Sequence, residues 1–178
     1  VKPMLHHIPR PQEGEYTPYT IAYISKVPDD GGDVLSHLRN NETVVRKHIE
    51  SLPANKLTTP HEAGEWTVQE VLVHMIDTER VFAYRALRIA RGDTTPLPGF
   101  EQDDYVPPSK ANERELSDIL EEYHAVRQAT LTLLQSLDDS VLMNSTLTSG
   151  NPTTLRALIY IIAGHELHHL VSIKENYG

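Results

Sequence analysis

Apolar residues recur with the period of a helix in four stretches of the chain. Leu35, Leu38, Val45, Ile49 and Leu52 are spaced by three, four and seven, which predicts a helix over about 34–52 that Pro53 stops. Val68, Leu72, Met75, Phe82, Ala86 and Ile89 form a second stripe; Thr67 and Glu70 have the spacing of a capping box at its start, and Gly92 ends it. A third helix is predicted from about Asn112 to Leu137, with Leu116, Ile119, Leu120, Tyr123, Leu134 and Leu137 inward. A fourth is expected from near Pro152, a favoured first-turn residue, to about Asn176. Val141 to Leu147 reads as at most a short strand. Four helices of this length predict an all-α fold, a four-helix bundle, and bundles build metal sites between facing helices.

The segments between the helices differ in character. Residues 1–32 carry Pro3, Pro9, Pro11, Pro18 and Pro28 and end in Asp29-Asp30-Gly31-Gly32. That composition breaks regular structure. It predicts an extended arm lying over the bundle, which occupies 33–178, or over a partner. Pro96 to Lys110 holds four prolines with Glu101, Asp103 and Asp104. It is long for a connection in a compact domain and is expected to cover a site. Residues 138–151 form a second polar connection.

Composition narrows the function. A net charge of -9 argues against nucleic acid, which needs a basic surface. The chain has no cysteine, so disulfides, thiolate ligands and a cysteine nucleophile are excluded. A thiol in the chemistry would arrive with the substrate. No apolar run approaches the ~20 residues that span a bilayer. Val1 to His7 has no apolar h-region, so no membrane association and a cytoplasmic location are expected.

The ten histidines divide by pattern. His6, His7, His37, His48, His61 and His124 have no patterned partner and read as surface or capping residues. His165 and His169 are four apart and each falls seven after an apolar residue, Leu158 and Ile162. Both therefore continue the buried stripe and point the same way. His168 belongs to a neighbouring face. His74 lies mid-helix, three after Val71, where a bundle can bring it opposite the last helix. Three neutral imidazoles suit a divalent ion and leave positions open for water or substrate. Spacing alone leaves a second reading open, three core histidines bonded to carbonyls or carboxylates. It also leaves room for Glu42, Asp77 or Glu79 in place of His74, a two-histidine-one-carboxylate site.

Glu42, Glu79, Glu166 and Arg127 occupy positions where apolar residues are expected. Buried charges need partners. An Arg127 pair with Glu79 or Glu42 would fix bundle register. Alternatively Glu79 or Glu166 serves as a catalytic base or orients a ligand histidine, with Asp77 a further candidate for that role. His165-Glu166-Leu167-His168-His169 matches H-E-x-x-H, the zincin protease signature. A peptidase is disfavoured, because only nine residues follow His169 to supply a third ligand and no sheet edge is predicted to hold a peptide.

The run Trp66-Thr67-Val68-Gln69-Glu70-Val71-Leu72-Val73-His74-Met75-Ile76-Asp77-Thr78-Glu79 resembles the second helix of the DinB/YfiT-like superfamily, and Gly164-His165-Glu166-Leu167-His168-His169 resembles its last helix. The resemblance covers about residues 33–177. It implies an up-down-down-up four-helix bundle, often a homodimer. It implies a metal triad of one histidine eight after the tryptophan, His74, with the pair His165 and His169, typically holding zinc or nickel. It further implies a metal-dependent transferase or hydrolase acting on a small-molecule substrate, with a low-molecular-weight thiol such as bacillithiol, mycothiol or glutathione, or water, as nucleophile. A non-catalytic, metal-stabilised stress-response module is the alternative. The glutamate of H-E-x-x-H is not part of the family's essential pattern, and the arm lies outside it.

Overall fold

The computed structural model describes residues 7–178; His6 and the first residues of the arm lie outside them. In chain order the helices are α1 (Ile21–Ile24), α2 (Val34–Ser51), α3 (Ala54–Leu57), α4 (Val68–Ala90), α5 (Gln102–Ser109), α6 (Leu116–Gln135) and α7 (Leu155–Tyr177). A hairpin of β1 (Ser145–Thr148) and β2 (Asn151–Thr154) precedes α7.

The four long helices α2, α4, α6 and α7 form the bundle. α2 packs on α6 and α7, and α4 packs on the same two. Helices consecutive in sequence, α2 and α4, therefore face each other across the diagonal. Cross-helix contacts give the directions. Arg46 reaches the Leu120 carbonyl and Arg127 the Leu38 carbonyl, so α2 and α6 are antiparallel. Gln69 bonds the Arg114 carbonyl, whereas Glu79 meets Arg127, so α4 and α6 are parallel. Tyr177 bonds the Trp66 carbonyl and His165 meets His74, so α4 and α7 are antiparallel. The order is up-down-down-up, as expected.

The core has two apolar clusters. One gathers the Val34, Leu38, Ile89 and Ile159 end, the other the Ile49, Leu72, Ile119 and Ile173 end. Between them lies a polar layer built around Arg127, which is fully buried. α7 is apolar on nearly every face from Leu155 to Ala163, as a helix surrounded by protein should be.

Three segments differ from the sequence expectation. The last helix starts at Leu155 rather than near Pro152. Residues 151–154 pair with 145–148 around a two-residue turn, Ser149 (φ 50°) and Gly150 (φ 81°). Two positive φ values are what a tight hairpin requires, and Pro152 is as acceptable on an edge strand as in a first helical turn. Thr154 then caps α7, accepting from the Ala157 amide at 3.2 Å. The 96–110 connection contains α5, which carries Pro107 and Pro108 in its last turn. The proline-rich arm is partly helical and enters the core: Ile8, Ile24 and Val27 are buried, and Glu15 forms a two-bonded pair with Arg156 at 2.7 and 2.5 Å.

Candidate metal centre

Local sequence chemistry places each histidine. The Thr67–Glu70 capping box is formed on both sides, with the Glu70 amide 3.1 Å from Thr67 Oγ1 and the Thr67 amide 2.8 Å from Glu70 Oε2. It fixes where α4 begins, and so which face His74 presents two turns later. On α7, His165 and His169 are one turn apart and share a face. The antiparallel α4–α7 contact brings the three together.

Their Nε2 atoms converge. His74 lies 3.2 Å from His165 and 3.2 Å from His169, and the latter two are 3.0 Å apart. Two nitrogens held by one ion at ~2.0–2.1 Å, with an angle between octahedral and tetrahedral, stand ~3.0–3.4 Å from each other. The donor set therefore fits a single divalent cation. Thr78 Oγ1 sits 3.4 Å from His74 Nδ1 on the far side of that ring, a contact that orients the imidazole.

The surroundings keep the rings neutral. Trp66 packs on His74 with centroids 4.9 Å apart, and Tyr23 and Phe82 pack on His165 at 5.3 and 6.0 Å. Burial pushes His74 down to about 4, with the Asp103 charge opposing it. Burial and the neighbouring His74 and His168 rings push His169 down to about 3. His165, the deepest, is lowered well below its ordinary value by burial and then by the other histidines. All three present lone pairs at neutral pH, the form a metal ligand requires. His74 and His165 are buried and His169 is partly exposed.

No carboxylate joins the group among the described residues. Glu42 bonds His124 Nδ1 at 2.5 Å. Arg127 holds both remaining glutamates. Its Nε and Nη2 donate to Glu79 at 3.0 and 2.8 Å, and Nη2 also donates to Glu166 Oε1 at 2.8 Å. Its Nη1 donates to the Leu38 carbonyl at 2.6 Å, and Tyr123 donates to Glu166 Oε1. Burial, then the Glu79 charge, raises Glu166 well above the carboxylate range. A proton on Glu166 leaves one guanidinium facing one carboxylate. The two glutamates offered by the sequence as catalytic groups thus have their carboxyls on Arg127, joining α4, α6 and α7. Asp77 is placed differently. It shares a pocket with His74 beneath the crossover, walled by Phe100, Tyr105 and Val106. Burial, then Glu122, raises its pKa.

The sequence profile of the DinB superfamily matches residues 37–173. The chain belongs to the DinB superfamily. No curated protein matches it in sequence. A similar solved structure is YfiT from Bacillus subtilis, described as a probable metal-dependent hydrolase with an unusual four-helix bundle topology. The two are 17% identical, with a TM-score of 0.72 over 97% of this chain and 93% of that one, a likeness of fold. The diagonal placement of α2 and α4 is how this DinB superfamily chain departs from a simple up-and-down bundle. No described helix is long and apolar enough to cross a membrane.

Sequence reasoning missed two residues near this site. Tyr23 comes from the arm, whose composition gave no periodic signal. Arg85 follows Phe82 by three and precedes Ile89 by four, a position on the apolar stripe as Arg127 is by another spacing, and it is 6% exposed.

Proposed function

We propose that this protein is a divalent-metal-dependent enzyme acting on a small electrophilic molecule, with His74, His165 and His169 as the ligands. The observation that carries this reading is the convergence of three neutral imidazole nitrogens, 3.0–3.2 Å apart, with His169 partly exposed. A structural ion would be four-coordinate and closed by protein. Three ligands leave room for a reactant. When bound, such an ion supplies Lewis acidity that lowers the pKa of a water or thiol.

The chain's own groups supply the rest. Trp66, Tyr23 and Phe82 exclude bulk water around the histidines. Asp77 shares the His74 pocket, and burial raises its pKa, which suits it to accept and return a proton. Glu79 and Glu166 act as positioning residues, through Arg127 and the registers of α4 and α7. Hydrolysis comes first because YfiT is so described. Transfer of a thiol comes second: with no cysteine in the chain, that nucleophile would come from a low-molecular-weight thiol.

Metal analysis of protein purified without chelators, alongside His165→Ala, tests the site. The expected result is about one zinc or nickel per chain, falling at least tenfold in the variant. Equal metal in both would overturn the ligand set. Turnover of activated esters and amides, with and without added thiol, then separates the two reactions.

A further inference from the structure

Two arginines are buried in this bundle, and they are treated oppositely. Arg127 meets two glutamates. Arg85 is 6% exposed yet has no acidic partner among the described residues, and residues 1–6 contain no acidic side chain. Its Nη2 donates to the Pro98 carbonyl at 2.8 Å and to Ser149 Oγ at 3.3 Å. Among the described residues Nε and Nη1 have no hydrogen-bond partner, and neither is sealed from solvent. The guanidinium lies near the Phe82 and Phe100 rings, 5.7 and 5.9 Å from their centroids. Burial lowers its pKa, with Tyr19 opposing. A buried charge without an acidic partner is destabilising, and the two hydrogen bonds and two ring contacts of Arg85 supply no counter-charge.

What Arg85 faces is a small cavity of about 40 Å³, roughly three water-sized spheres. Its polar walls are hydroxyls: Thr17 and Thr20 from the arm, Thr148, Ser149 and Thr153 from the hairpin. Ser149, at the first position of the hairpin turn, sets its hydroxyl against the guanidinium. Four separate segments of chain thus converge on one unpaired cation. Phe82 lines this cavity and also touches His165, and Ile161 on its wall precedes His165 by one turn, ~6 Å along α7.

We propose that Arg85 anchors the carboxylate of a small-molecule ligand in this cavity, at a binding site distinct from the three histidines and one helical turn from them. A carboxylate supplies the missing negative charge and acceptors for Nε and Nη1, and the Thr17 and Ser149 hydroxyls, which donate to no acceptor among the described residues, can donate to its oxygens. The cavity's size favours a carboxylate over a bulkier phosphate. The inference does not depend on metal binding, so it is testable on the metal-free chain.

The test uses acetate as probe, with ionic strength held constant by chloride and phosphate run as a second arm. Thermal unfolding and the Arg85 Nε–H signal in ¹⁵N NMR are the readouts. Wild type should show a saturable rise in Tm with acetate and a matching shift of the Nε–H resonance. Arg85→Met should abolish the response while its ligand-free Tm is equal or higher, because an unpaired buried cation is gone. A structural arginine would instead lower it. Arg85→Lys, which keeps the charge and loses the planar donors, should bind acetate at least tenfold more weakly. No saturable response in wild type, an equal response in Arg85→Met, unchanged affinity in Arg85→Lys, or a stronger response to phosphate than to acetate would each overturn the proposal.

Discussion

Acid should destabilise the metal-free protein through its buried histidines, by an amount the site geometry sets. In the unfolded chain an imidazole titrates near 6.5; in the fold His74 is held down to about 4 and His169 to about 3. The folded state therefore binds fewer protons than the unfolded state between these values. Stability is fully present above the unfolded value and is lost as pH falls toward the folded one. At pH 5 the unfolded imidazoles are largely protonated and the folded ones are not. Each then contributes a loss of about 2 kcal/mol relative to pH 7, about 4 kcal/mol for the pair. That is a large share of a total that is typically about 5–15 kcal/mol. The assay is urea unfolding of metal-free protein at the two pH values, followed by circular dichroism. A His74→Gln, His169→Gln double variant serves as control for the carboxylates and the distant histidines, while His165, lowered first by burial, loses in it only the contribution of the two replaced rings. Wild type should lose about 4 kcal/mol more than the control over this interval. Equal losses would show that the two rings are not desolvated in the fold, and the argument for a neutral, ligand-ready triad would fail.

Other perturbations probe the scaffold. Arg127→Met leaves Glu79 and Glu166 buried without their cation and should lower stability by about 3–5 kcal/mol. Adding Glu79→Gln and Glu166→Gln should restore much of that in denaturant unfolding. Gly164→Ala would place a methyl 1.9 Å from the Tyr23 carbonyl oxygen, a backbone atom of α1 that cannot swing aside. Loss of about 1–3 kcal/mol and faster proteolysis within residues 7–32 are expected.

Much of this organisation was written in local patterns. The stripes on α2, α4 and α6 mark residues that are buried, with Phe82 and Leu116 only partly so. The Thr67–Glu70 box and the seven-residue offsets of His165 and His169 mark the helix start and the ligand face. These signals survive because helix periodicity and capping act within a few residues. What was illegible depends on tertiary partners. Pro152 suits two conformations, and only pairing with Leu147 makes it a strand. Arg127 offered two acidic partners at equal sequence cost, and packing chose Glu79 and Glu166 over Glu42. The arm's burial rests on single residues, Ile8, Ile24 and Val27, with no repeat to announce them. Arg85 carried a stripe spacing but no complementary acid, and it is the lack of an acidic partner among the described residues that sets it apart.

The parallel run of α4 beside α6 has a consequence of its own. Two adjacent parallel rods cannot be joined by a tight turn, so residues 91–115 must travel back along the ~34 Å of α4 before the next rod begins. That return path passes over His74 and Asp77 and lends Pro98 and Phe100 to Arg85. Connectivity alone thus drapes a strip of loop and the short helix α5 across both candidate sites. Amino-acid changes in that strip would retune what the protein admits while the three imidazoles, anchored in rigid rods beneath it, stay where they are.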